Sequence, residues 1–141
     1  MIFITFTSAL LLLSISAIHI YWAIGGLWPG KTKQELIDLV FGKGNQFPSP
    51  LTCLFVAIFL FLFSILPIAW ILKNNLALDS KMIFGLRILI TMISVIFFLR
   101  GVLAYFPIIT KQWKPIFVYY TKRIYNPLCI TISFLLQIQI L

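Results

Sequence analysis

The chain has 141 residues, 62% of them hydrophobic and only 10% charged, against about 25% charged in an average soluble domain. A small domain buries only about two-thirds of its surface, so no single core could hide this much apolar side chain, and an ordinary soluble fold is excluded. The net charge of +8 does not indicate nucleic acid, because the cations sit in short loops between apolar runs, where they record membrane topology and attraction to anionic headgroups.

Four apolar runs organise the sequence, at residues 2–23, 51–72, 82–103 and 125–141. Crossing a bilayer core takes about 20 helical residues; the first three runs reach that length and the fourth is at the lower limit. Backbone groups in lipid must be paired within their own segment, so the runs are expected to be helices. They are continuous rather than alternating, which argues against a barrel. The expected fold is therefore an all-α membrane protein, a four-transmembrane-helix bundle forming one domain over residues 1–141.

The first run lacks a positive n-region and a small-residue cleavage site, so it reads as a retained helix rather than a signal peptide. Ser8, Ala9, Leu12, Ser16, His19, Trp22, Ala23 and Gly26 fall on one stripe of it. Small residues allow close helix approach and a polar group among them bonds across the interface, so this stripe should face the bundle. A hydrogen bond to a neighbouring backbone or hydroxyl group is the simplest role for His19. Ligand binding or proton handling is the alternative for an ionisable residue inside a membrane. Metal ligation lacks support, since this is the chain's one His and no Cys or carboxylate stands at ligand spacing from it.

In the first long loop, Thr32-Lys33-Gln34-Glu35 is a capping-box pattern, with Glu35 reaching back to the N–H of Thr32. A short amphipathic helix should follow and lie on the membrane surface through Leu36, Leu39 and Val40. Cys53 opens the second apolar run and Pro67 should kink it near its outer end. Asn74, Asn75, Asp79 and Ser80 mark a plain turn. The third run carries Arg87, expected to snorkel or pair with Asp79. It also carries Arg100, which has no carboxylate in any run to pair with. The guanidinium of Arg100 can bond backbone carbonyls, reach a headgroup phosphate or hold an anionic ligand in bidentate fashion.

The second long loop mixes Trp113, Phe117, Tyr119 and Tyr120 with lysines, as interfacial aromatic belts do. Pro115 suits the first turn of a second surface helix. The fourth run opens with Tyr125-Asn126-Pro127-Leu128-Cys129, where Asn126 reads as the cap. Gln137 and Gln139 are expected to face water at the outer surface.

Both long loops are rich in Lys and Arg, whereas the termini and the short loop are poor in them. That bias puts the long loops in the cytoplasm and both termini outside. Alternating helices then bring His19, Tyr21, Trp22, Trp28, Thr52, Arg100 and Asn126 to one depth near the cytoplasmic interface, and His19, Tyr21, Trp22, Gly26, Trp28, Arg100 and Asn126 are the candidate ligand-binding residues there. Cys53 and Cys129 share that reducing side and should be free thiols. No phosphate loop, nucleophile–base motif or carboxylate pair is present, and no cofactor or metal is expected.

The string His19-x-Tyr21-Trp22-Ala23-x-Gly25-Gly26, followed by Trp28-Pro29, resembles a family of small bacterial membrane proteins classed as a domain of unknown function. That family carries an Arg late in its third helix and a Pro-Leu-Cys element opening its fourth, matched here by Arg100 and by Pro127-Leu128-Cys129. It also carries acidic residues in the stretches corresponding to Ala104 and Thr121, which this chain lacks. The resemblance implies a four-span fold in the inner membrane and no agreed activity. The expected function is a non-enzymatic one in envelope or membrane homeostasis, through binding or moving a lipid or an anionic or amphipathic small molecule. Partners would be membrane lipids and further copies of the chain, as a dimer or trimer, and no nucleic acid. The alternatives are a small membrane enzyme with His19 as general acid or base, and an accessory subunit of a membrane complex.

Overall fold

A computed structural model describes all 141 residues, and they form helices and short connections with no strand. The helices are α1 (Ile2–Ala23), α2 (Lys33–Val40), α3 (Pro50–Ile71), α4 (Ser80–Leu103), α5 (Pro107–Thr110), α6 (Pro115–Tyr120) and α7 (Asn126–Ile138). Three of them, α1, α3 and α4, are long and apolar enough to cross a membrane. Only 28 of the 141 residues are buried, far too few for a protein that keeps its apolar side chains from water. Phe55, Phe59, Phe61 and Leu62 of α3 and Leu89, Met92, Val95 and Ile96 of α4 point outward, the arrangement of helices whose surroundings are hydrocarbon.

Local chemistry sets where the helices begin. The Ser49 hydroxyl accepts the Thr52 N–H at 3.2 Å, with Pro50 in the first turn of α3. The Asp79 carboxylate accepts the Met82 N–H at 2.7 Å at the start of α4. Asp79 thus serves as a cap instead of pairing with Arg87, and the chain's one ion pair joins Lys114 to Asp38. Pro67 does not end α3, which continues to Ile71 with Pro67 buried.

α1 packs along α3 and α4 along α7, and the two pairs meet where α1 touches α7 and α3 touches α4. Leu12, Leu60, Leu86, Ile90, Ile93, Ile132, Leu136 and Ile140 fill the space between them. Polar groups stitch each pair. Ser16 donates to the Ala57 carbonyl at 2.7 Å, and Ser94 lies 3.0 Å from the Ser133 carbonyl and 3.1 Å from its hydroxyl. Such bonds between membrane helices contribute about 0.6 kcal/mol each. The buried side of α1 is Thr5, Ser8, Ala9, Leu12 and Ser16, the stripe its small residues foretell. This stripe is occupied by neighbouring helices of the same chain and is not free for contacts between copies.

Three expectations need correction. The fourth run does not begin as a separate span at Tyr125. α6 passes without interruption into a π-helical segment (Thr121–Tyr125) and then into α7, which has 13 residues and covers about 20 Å. Asn126 therefore lies inside a continuous rod and is no cap; its side chain is fully buried. The second correction concerns Gln139, which does not face water. Its side-chain carbonyl accepts from Thr5 at 3.4 Å, and its main-chain carbonyl accepts from the Trp70 indole at 2.8 Å, so the end of the chain is fastened between α1 and α3.

The third correction concerns α2. Thr32 caps it as expected, with its hydroxyl taking the Glu35 N–H at 3.2 Å, but Glu35 accepts from the N–H of Lys31 and not from that of Thr32. The helix does not rest its apolar residues on lipid: Leu36 and Ile37 are buried in protein. It docks on α6 through the Lys114–Asp38 ion pair. Two further bonds hold it there, from the Lys114 N–H to the Gly42 carbonyl at 3.0 Å and from the Tyr125 hydroxyl to the Leu39 carbonyl at 2.9 Å.

Candidate ligand clefts at the loop end

The two long connections, residues 24–49 and 104–114, lie at the same end of the molecule, and α2 is clamped across that end. The clamp divides the space beneath into clefts on either side of Val40 and Phe41.

On the α1 side, Trp22 is the shared wall. Its indole N–H donates to the Trp28 carbonyl at 2.8 Å. Its ring meets His19 edge-on with centroids 5.0 Å apart, and Phe47 edge-on at 5.9 Å. One cleft, of about 290 Å³, is bounded by His19, Trp22, Phe41, Phe47, Thr52 and Cys53. A second, of about 460 Å³, is lined by Trp22, Trp28, Leu39, Tyr120, Tyr125 and Leu128 among ten residues, nine of them hydrophobic. It has the mostly apolar lining, with a few polar groups at its edge, of a small-molecule site.

His19 places Nδ1 at 2.8 Å from the Ile15 carbonyl. A carbonyl only accepts, so Nδ1 carries a proton in this bond and Nε2 is the ring nitrogen left without a partner in the chain. Tyr21 lies on the outer side of the turn. Its ring covers Gly26 so closely that a Cβ there would fall 2.2 Å from it, and its hydroxyl is 3.5 Å from the Trp28 N–H. Gly26 lines a neighbouring cleft of about 370 Å³ together with Trp22 and Phe47.

Arg100 is on the far side of Val40. It lines a separate cleft of about 470 Å³ with Lys43, Phe41, Leu103, Trp113 and Phe117. Asn126 lies between the two regions against α4, where its carbonyl is 3.0 Å from the position a Cβ on Gly101 would take. Its side-chain oxygen and nitrogen are both buried without a partner, as is the hydroxyl of Thr121 one π turn earlier. The expected residues thus fall into three places: His19, Trp22, Gly26 and Trp28 together with Tyr21 at their rim, Arg100 across the clamp, and Asn126 in the α4–α7 contact.

Residues the sequence reading did not assign to the site complete these clefts. Val40 and Phe41 divide them, Phe47 closes the His19 cleft, and Lys43 stands with Arg100. The signal for Lys43 was its place between Gly42 and Gly44, which have φ of 73° and 66°. Glycine adopts such positive φ without strain, and the pair on either side of Lys43 marks a turning loop. Asp38, in the clamp, is held below its ordinary value of 3.8 by hydrogen bonds from Lys114 and then Gln34.

Three apolar helices of membrane-crossing length, with outward faces of Phe, Leu and Met, make this a helical membrane protein. It belongs to the family described as Protein of unknown function (DUF3995), whose model matches residues 12–136 and so takes in every candidate residue above. Neither the curated proteins nor the solved structures offer a match to the chain.

Proposed function

We propose that the protein binds an amphipathic small molecule or lipid in the aromatic cleft between the end of α1 and the start of α7, at the cytoplasmic face of a bacterial inner membrane. In this reading α7 and the π-helical segment form a fourth span, with Lys122 and Arg123 at its interfacial end. Both long loops are cytoplasmic and both termini lie outside. The observation that carries the reading is the 460 Å³ cleft, lined almost wholly by apolar and aromatic groups and placed where the charged connections meet the apolar helices. Such a cleft suits a ligand with a hydrocarbon body and a polar head, and binding or passing on such a molecule is a role in membrane homeostasis. The small-residue stripes are used within the chain, so a dimer or trimer would associate through the large apolar faces.

Native mass spectrometry of gently extracted protein tests this reading. The wild type should carry a hydrophobic ligand, and Trp22→Ala, which removes the shared wall, should lose it while remaining folded. A wild type without ligand, or a variant that keeps it, contradicts the proposal.

One observation favours a second reading, that of a membrane enzyme with His19 as general base. Nδ1 is committed to the Ile15 carbonyl, which leaves Nε2 as the ring nitrogen available for proton transfer on a residue that lines a cleft with Thr52. His19→Gln keeps a hydrogen bond available to Ile15 and removes the base. Under this reading it abolishes function at unchanged expression, and retained function refutes it.

A further inference from the structure

The cleft containing Arg100 and Lys43 is separate from the aromatic cleft and has its own chemistry. Arg100 lies in the last turn of α4, and Lys43 leads out of the α2 clamp. Neither cation has a counterion in the chain. The chain has three acidic residues: Asp38 pairs with Lys114, Glu35 accepts from the Lys31 N–H, and Asp79 caps α4 next to the short loop at the opposite end. The two positive groups therefore line a common cleft whose other walls, including Leu103, Ile109 and Trp113, are apolar.

The backbone just before Lys43 is anchored. Gly42 is buried under the Phe117 ring, which a Cβ would meet at 2.1 Å, and the Gly42 carbonyl accepts the Lys114 N–H at 3.0 Å. The loop that presents Lys43 is thereby pinned to α6.

We propose that this cleft is a headgroup site for an anionic glycerophospholipid. Arg100 and Lys43 hold the phosphate, the fork of Arg100 binding it through two N–H groups, and Leu103, Ile109 and Trp113 receive the glycerol and the first part of the acyl chains. A free inorganic anion would satisfy the cations and leave the apolar walls unused. A lipid satisfies both, and its phosphate lies at the depth where a membrane helix ends. A cationic side chain near an anionic membrane surface contributes attraction equivalent to about a fivefold change in binding.

The inference rests on the bilayer placement proposed above, and one experiment separates the two. The full chain is reconstituted in phosphatidylcholine nanodiscs containing a minor share of phosphatidylglycerol, and the lipids that stay bound after release are identified by native mass spectrometry. Wild type should retain phosphatidylglycerol in excess of its share. Lys43→Gln and Arg100→Gln should each reduce that excess about fivefold, Arg100→Lys should reduce it less, and Lys73→Gln, at the opposite end, should leave it unchanged. Excess inorganic phosphate should not displace the lipid. Displacement would make this a free-anion site and overturn the lipid assignment. A wild type with bound lipid but no preference for phosphatidylglycerol, or a preference that survives both glutamine variants, overturns the inference alone. Protein that stays folded in water without detergent or lipid overturns the bilayer placement itself. Should Arg100→Gln fail to fold, Lys43→Gln, on an exposed loop, still decides the matter.

Discussion

The Trp22 indole donates to the Trp28 carbonyl at 2.8 Å, joining the last turn of α1 to the chain that leads away from it. The bond fixes the ring that walls the His19 cleft on one face and the aromatic cleft on the other. Trp22→Phe keeps most of the ring and loses the N–H, at a cost of about 1 kcal/mol. It should lower the thermal midpoint in detergent slightly and weaken ligand retention, whereas Trp22→Ala should abolish retention. Thermal unfolding combined with mass spectrometry of the bound species checks both.

Gly101 and Gly85 are on the same helix and should respond oppositely to alanine. At Gly101 a Cβ would lie 2.7 Å from Ile130 and 3.0 Å from the Asn126 carbonyl, a backbone atom that cannot step aside. At Gly85 the same Cβ meets nothing within 4 Å. Gly101→Ala should therefore cost about 1–3 kcal/mol by forcing α4 and α7 apart. Gly85→Ala should gain about 0.5–1 kcal/mol through helix propensity. Unfolding of the two variants in graded SDS gives the comparison.

Asn126 is fully buried with both side-chain polar atoms unpartnered. Replacing it with Leu, which has the same branching, removes that unmet demand, so Asn126→Leu should be neutral or stabilising by about 1–3 kcal/mol where α4 and α7 accommodate the bulkier methyl groups. If ligand retention falls in the stabilised variant, Asn126 serves binding at the expense of stability. The same unfolding assay, paired with ligand detection, gives both numbers.

Docking of α2 should depend on pH in one direction. Hydrogen bonds from Lys114 and Gln34 depress the Asp38 carboxyl below 3.8. A depressed acid stabilises the folded form above its unfolded value and ceases to do so as pH falls through the folded one. The clamp should thus be unaffected from neutrality down to about pH 4 and loosen below that. Amide exchange of residues 33–40 should rise in acid in the wild type, and Asp38→Asn should show the raised exchange already at neutral pH.

The long helices were legible because lipid imposes a simple rule, apolar length, on α1, α3 and α4, and the observed α1 has the bounds its apolar run marks. The stripe Ser8, Ala9, Leu12 and Ser16 was legible for the related reason that small residues belong where backbones approach. The start of the fourth helix was not. Tyr-Asn-Pro looks like a cap followed by a first turn, whereas the chain runs on from α6 through Thr121–Tyr125 as a π segment into α7. Gln139 was misread for a similar reason. A Gln near a terminus ordinarily meets water, and its burial depends on Thr5 and Trp70, both far away in sequence. The division of the loop-end residues into separate clefts follows from α2 folding back over them. No local pattern announces that docking, which rests on partners far away in sequence: Lys114 for Asp38 and Gly42, and Tyr125 for Leu39.

The most direct test of the central claim is photocrosslinking of the protein in native membranes with a lipid analogue bearing a diazirine on its acyl chain, followed by peptide mapping. The account predicts that labels concentrate on Trp22, Trp28, Tyr125 and Leu128 above the general labelling of α3 and α4, and that Trp22→Ala removes this excess. Labels spread evenly over the outward faces of the long helices, with no excess at the aromatic cleft, would contradict it.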